Sequence, residues 1–281
     1  MNMKKLTLGF SSCPNDTFMF DAMIHHKIDT EGLDFELFIG DIEQLNRKAI
    51  NSELDITKIS FSAFTQLTET YKLLTAGAAL GENCGPLLVA KRPISKDQLA
   101  SCSVAIPGIN TTANLLTSFL FPQLTQKSEL LFSSIEQAVL DEQVDLGLII
   151  HESRFTYESK GLIKIADVGE VWEKKTATPT PLGGIIIKSN LDRETQIKVN
   201  RVLEKSVRYA FSNPTSGLDF IRQHAFEMSD EVMYKHIQLY VNEFSINFGE
   251  AGRKSIAKLF EVAASLKKIA KEPFLDKIIV S

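Results

Sequence analysis

Residues 4–60 read KKLTLGFSSCPNDTFMFDAMIHHKIDTEGLDFELFIGDIEQLNRKAINSELDITKIS. Three short apolar runs, 4–10, 35–39 and 56–60, alternate with two stretches of helical pattern, 14–26 and 42–51. Pro14 falls in the first turn of the first helix, where its missing N–H removes no hydrogen bond. A strand–helix–strand–helix–strand series predicts a mostly parallel sheet covered by helices. A further helix is expected near 61–70, and a strand that leaves this unit at 86–91.

A second series follows, with strands at 103–106, 129–132, 146–150 and 162–167 and helices at 111–121 and 134–141. The stretch 176–184 carries Pro179, Pro181 and the pair Gly183-Gly184, which is turn and hinge composition. From Asp192 onward the pattern is helical: Val199, Val202, Leu203, Ser206, Val207 and Ala210 share one face. Asn213-Pro214 ends that helix, and three more are expected at 218–227, 230–241 and 249–268. The expected fold class is therefore α/β with two lobes. A discontinuous first lobe, 1–88 with 186–281, receives a second, 89–185, between its halves. The ligand cleft belongs at the hinge, at the carboxyl ends of the strands.

Composition narrows the function. The chain has 281 residues, 44% hydrophobic and 23% charged, which excludes a disordered or fibrous protein. Its length favours two domains over one. A net charge of −4 supplies no positive field for a nucleic-acid backbone, so no nucleic-acid partner is expected. Cys13, Cys84 and Cys102 are odd in number and widely spaced, so they form neither a disulfide framework nor a paired zinc motif, and they suit a reduced cytoplasmic setting. The apolar stretch after Lys4-Lys5 is about five residues, short of the roughly 7–15 of a signal core. The uncharged run 98–126 holds Pro107, Gly108 and Pro122 among many hydroxyls and amides, which a membrane span would leave unsatisfied. No membrane partner and no export are expected.

Four segments at strand ends or helix starts carry candidate chemistry. Ser11-Ser12-Cys13-Pro14-Asn15-Asp16-Thr17 opens a helix with hydroxyl, amide and N–H donors; it reads as a helix cap or as a site for a polar ligand. Lys58 and Ser60, flanking Ile59, offer a cation and a hydroxyl to a carboxylate, or are a surface lysine and a capping serine. Thr111-Thr112 opens the helix after Pro107-Gly108; capping needs one hydroxyl, and the second points towards a bound carboxylate. His151 directly follows an apolar strand and can serve as a general base near neutral pH, or be structural. The sequence holds no G-x-G-x-x-G, P-loop or G-x-S-x-G pattern. His25 and His26 are adjacent and point to different helix faces, a poor metal pair. His224 and His236 read as surface or core residues, and Phe155, Tyr157 and Trp172 as core packing. Neither a metal nor a cofactor is expected.

Five elements together resemble one family: Ser11-Ser12-Cys13-Pro14-Asn15-Asp16-Thr17-Phe18, Asp55-Ile56-Thr57-Lys58-Ile59-Ser60, Gly81-Glu82-Asn83-Cys84-Gly85-Pro86, Thr111-Thr112 and Gly147-Leu148-Ile149-Ile150-His151-Glu152. They are similar, in order, to the 1,4-dihydroxy-6-naphthoate synthases of the futalosine route to menaquinone. The resemblance implies a fold like type II periplasmic binding proteins, working in the cytoplasm. It implies conversion of cyclic dehypoxanthine futalosine to 1,4-dihydroxy-6-naphthoate with loss of a three-carbon fragment, as a cofactor-independent carbon–carbon lyase. The family's catalytic histidine falls on His151, and its substrate-binding segments on Lys58, Ile59 and Ser60 and on Thr111 and Thr112. In the mechanism this suggests, Asn15 or Lys58 steadies a developing enolate. Glu82-Asn83-Cys84 stands where the family has a glycine-rich segment, so no role is carried to it. The rival readings are a solute-binding protein of the same fold, the sister chorismate dehydratase, and a transcription-factor effector domain. Oligomeric state is not legible.

Overall fold

A computed structural model of the chain describes residues 4–225 and 229–280. The opening series forms as the pattern dictates: β1 (Lys4–Phe10), α1 (Pro14–Ile24), β2 (Leu33–Ile39), α2 (Ile42–Ile50) and β3 (Ile56–Ser60). Cys13 is the N-cap of α1 with Pro14 in the first turn, and Asp41 closes a capping box with Gln44 at the start of α2. β1 lies between β2 and β3, parallel to both. α3 (Phe61–Phe64) stops well short of the expected 61–70 helix, and two short strands follow, β4 (Tyr71–Leu73) and β5 (Ala79–Gly81).

The chain then crosses to a second sheet with β6 (Leu87–Ala90), β7 (Ser103–Ile106), α4 (Thr112–Leu120), β8 (Gln126–Glu129), α5 (Ile135–Leu140), β9 (Leu146–Ile149), α6 (Ser153–Thr156) and β10 (Ile163–Asp167). β8 sits earlier than the expected 129–132 strand. It is a polar edge strand whose apolar neighbours Leu130 and Leu131 misplace it in a hydropathy reading. After α7 (Val168–Thr176), β11 (Thr180–Lys188) returns to the first sheet. The stretch read as hinge thus ends in a strand through Pro181 and Gly183-Gly184. α8 (Arg193–Ser212), α9 (Leu218–His224), α10 (Asp230–Tyr240), α11 (Glu243–Ile246) and α12 (Gly249–Ser265) complete the described helices used below. The end of the expected 218–227 helix lies outside the described residues.

The sheets are mixed rather than mostly parallel. The first has the order β2-β1-β3-β11-β4 with β5 also on β11, the second β10-β6-β9-β7-β8. Each holds a parallel trio, β2-β1-β3 and β9-β7-β8, and antiparallel strands where the chain changes sheets. A strand arriving from the other sheet enters from the opposite end, so β11 runs antiparallel to β3 and β6 to β9. The two crossings touch at a pair of glycines. A Cβ on Gly85 would lie 2.3 Å from Gly169 Cα, and one on Gly169 would lie 2.7 Å from Gly85 Cα. Only two residues without side chains let these backbones meet, and the Val168 N–H donates to the Pro86 carbonyl beside them at 2.9 Å. One apolar cluster runs through both sheets, joining Ile59, Leu73 and Ile186 of the first to Leu88, Val104 and Leu146 of the second. Among the described residues, no helix is long and apolar enough to cross a membrane.

Candidate active site

The end of β1 turns into α1 at Ser11, and Asp16 in the first turn folds back onto it. Asp16 Oδ2 accepts from the Ser11 N–H at 3.1 Å and the Ser11 hydroxyl at 2.7 Å. Its Oδ1 accepts from Asn15 Nδ2 at 2.8 Å and lies 3.1 Å from Lys58 Nζ. The Asp16 and Lys58 side chains are 1% and 6% exposed, so this is a charge pair held out of water. The contact is close but poorly directed: Lys58 Nζ has no hydrogen-bond partner among the described residues. Its donors remain free in the cleft.

Lys58, Ile59 and Ser60 form the end of β3. Asn46 from α2 pins Ser60, accepting from its N–H at 2.9 Å and donating to its hydroxyl oxygen at 3.2 Å, which leaves the hydroxyl hydrogen free. Opposite, Thr111 caps α4: its hydroxyl accepts from the Asn114 N–H at 3.3 Å and donates to the Gly108 carbonyl at 2.7 Å. The Thr112 hydroxyl donates to the Leu182 carbonyl at 2.6 Å and accepts from the Ser62 N–H at 3.1 Å. Both hydroxyls are engaged within the protein, against the expectation that the second would face a ligand. What α4 presents is its terminus. The N–H groups of Thr112 and Ala113 have no carbonyl one turn earlier in the helix, and they carry the positive end of its dipole. Thr112 thereby ties α4 of the second sheet to β11 and α3 of the first.

His151 follows β9 with a φ of 58°, a left-handed conformation that a non-glycine residue adopts only when its surroundings demand it. Its half-buried ring stands edge-on to Phe132, with centroids 5.1 Å apart, and stacks at 6.2 Å over His236. Its Nδ1 lies 3.3 Å from Cys13 Sγ. Burial lowers the His151 pKa below the ordinary histidine value; Lys58 adds to that, while the carboxylates of Glu152 and Asp16 oppose it. The ring is thus neutral at pH 7, with one lone pair free to accept a proton. Burial pushes the Cys13 thiol pKa up, reinforced by Glu152 and Asp16, so it stays protonated.

His236 and Tyr240 reach the same space from α10. His236 is wholly buried, neither ring nitrogen has a hydrogen-bond partner among the described residues, and burial holds its pKa well below the usual value. Its ring lies 4.6 Å from that of Tyr240. All seven candidates, His151, Lys58, Ile59, Ser60, Thr111, Thr112 and Asn15, line one cleft of about 650 Å³ counted to its mouth. Apolar walls come from Ile42, Ile150 and Leu182. Sequence reasoning passed over His236 and Tyr240 as site residues, and held Asp16 only as a member of the helix-opening segment 11–17. His236 and Tyr240 stand four apart and so share a helix face, the one available signal, but the same spacing describes any core stripe.

Two α/β sheets joined by two crossings, with polar groups gathered at strand ends and helix starts, define the class of periplasmic-binding-protein-like folds. The aliphatic sulphonate-binding protein of Escherichia coli superposes with a TM-score of 0.69 over 99% of this chain and 92% of its own, at 9% identity, a likeness of fold alone. The profile of the menaquinone biosynthesis family matches residues 6–265, and the chain belongs to that family. It is 41% identical over 271 residues, 96% of this chain and 98% of the relative, to the 1,4-dihydroxy-6-naphthoate synthase of Thermus thermophilus. The synthase of the same description from Streptomyces coelicolor is 37% identical over 94% of this chain and 95% of its own. A crystal structure of an Archaeoglobus fulgidus protein, 37% identical, superposes with a TM-score of 0.89 over 94% of this chain and 98% of that one.

Proposed function

We propose that this protein is a cytoplasmic 1,4-dihydroxy-6-naphthoate synthase, converting cyclic dehypoxanthine futalosine to 1,4-dihydroxy-6-naphthoate as a lyase that needs no cofactor. The two halves, 1–88 with 186–281 and 89–185, act as lobes that close on the substrate. The observation that carries the chemistry is a neutral His151 sharing a cleft with the α4 terminus and with a Lys58 ammonium that faces Asp16 but makes no hydrogen bond among the described residues. The near-full-length identity to two synthases supports the choice of reaction.

The substrate carries an aromatic carboxylate. The N–H groups opening α4, with the Ser60 hydroxyl hydrogen, receive it through donors already in place. His151 takes a proton from the cyclic sugar-derived part. The electron pair left on carbon expels the three-carbon fragment, and formation of the second aromatic ring draws the step forward. Lys58 or Asn15 meets the developing enolate oxygen, where a fixed donor in a dry site is worth more than in water. Closing the lobes excludes solvent and aligns the groups.

The test is incubation of the purified protein with cyclic dehypoxanthine futalosine, product being read by chromatography. His151→Ala is expected to lower kcat by about 10²–10⁴-fold with an unchanged circular-dichroism spectrum. Wild-type turnover in that variant would remove His151 from the reaction.

A further inference from the structure

Cys13 Sγ, a ring nitrogen of His151 and a ring nitrogen of His236 all lie within 4.8 Å of one another. The sequence separates them widely, and the fold gathers them from the start of α1, the end of β9 and the middle of α10. From this geometry we propose that the three side chains form a binding site for a zinc-class divalent ion, which switches the enzyme off by occupying the catalytic imidazole. The inhibition rests on the reading of His151 as the base; the metal site does not.

One thiol and two imidazoles are the donor set that zinc prefers. Tetrahedral zinc with bonds of about 2.0–2.3 Å sets its donors about 3.3–3.7 Å apart. Cys13 Sγ and His151 Nδ1 already stand at 3.3 Å, so mainly the His236 ring must close in. A second, independent observation points to a ligand. His236 is wholly buried and lines the cleft, yet among the described residues both of its ring nitrogens lack a hydrogen-bond partner. Such an orphaned imidazole is rare without an occupant to satisfy it. Three protein donors leave the fourth position to water. A second hollow, lined in part by Cys13, Phe132 and Glu152, borders the site. Asp16 and Glu152 lie close enough to act electrostatically on Cys13 and His151 and favour a cation there; Lys58 opposes it.

Binding replaces the Cys13 S–H bond by a sulfur–metal bond and releases one proton to buffer. A neutral imidazole has a single basic lone pair. Whichever His151 nitrogen takes the metal, the other keeps its hydrogen, and no proton acceptor remains.

The experiment titrates the chelator-treated enzyme with Zn²⁺ by calorimetry in buffers of different ionisation enthalpy, and with Co²⁺ by absorption. One ion per chain, one proton released, and a thiolate-to-cobalt charge-transfer band are expected. Cys13→Ser, Cys13→Ala and His236→Gln should each weaken binding by more than the about 10–100-fold that loss of an outer-shell partner produces. Zinc should abolish turnover in the parent, and chelator should restore it. Unchanged zinc affinity in the folded Cys13 and His236 variants, or a cobalt spectrum without the thiolate band, overturns the site. Zinc held by all three donors with turnover untouched keeps the site and overturns His151 as the base.

Discussion

The Asp16–Lys58 pair offers the sharpest test of how this cleft is held. The Asp16 carboxylate accepts three hydrogen bonds and faces the Lys58 ammonium at 3.1 Å, both side chains being buried. Asp16→Asn keeps the shape but turns an amide N–H₂ towards Lys58 or the Ser11 donors, leaving a buried cation without its counter-charge. Removing one partner of a buried pair costs about 3–5 kcal/mol. Lys58→Met costs less, about 1–3 kcal/mol, because the carboxylate retains three donors. The apolar cluster through both sheets makes the halves one cooperative unit. Unfolding entropy near about 2 cal/mol/K per residue gives about 0.6 kcal/mol per kelvin for a chain of this length, so Asp16→Asn should lower Tm by about 5–8 °C. The double variant should be more stable than the sum of the singles predicts, since it holds neither orphaned charge. Scanning calorimetry at pH 7 on the four proteins of the cycle measures this. Single effects that add to within about 0.3–0.5 kcal/mol would show that the two side chains do not interact, and the account of a charge pair at the cleft floor would fail.

Other consequences are open to measurement. Because burial lowers the His151 pKa, the kcat profile should rise through a single ionisation centred below pH 6.5 and stay flat from there to pH 8; a midpoint above 6.5 contradicts the buried neutral base. His236 is also held neutral in the fold, whereas the unfolded chain takes up its proton below about pH 6.5. Stability is therefore complete above that pH and falls as pH drops below it, by up to about 1.4 kcal/mol per pH unit, a slope that urea titrations at pH 5–7 should find reduced in His236→Gln. Gly85→Ala puts a methyl group 2.3 Å from the Gly169 backbone, and little or no folded protein should be recovered on expression; a variant with parental Tm would mean the crossings are not in contact. Thr112→Val removes a hydroxyl bonded to Leu182 and Ser62, and should cost about 1–3 kcal/mol by denaturant titration while raising KM more than it lowers kcat.

Much of this protein is legible in its sequence, because local rules decide it. The strand patterns of β1 and β3, Pro14 at the start of α1 and the long amphipathic stripe of α8 agree with the fold they adopt. The seven candidate residues stand at strand ends or helix starts, and in an open α/β sheet those ends converge, so a list made along the chain becomes a list around one cleft. Tertiary structure decided the rest. A strand's direction depends on which end of the sheet the returning chain meets, so hydropathy cannot tell that β11 runs antiparallel through residues of turn composition. The Thr112 hydroxyl is engaged by Leu182 and Ser62, partners 70 and 50 positions away that no helix-capping rule contains. Asp16 matters because Lys58 is folded against it, and His236 because α10 stacks its ring on His151. Periodicity reports which face of an element is buried; only packing reports what that face meets.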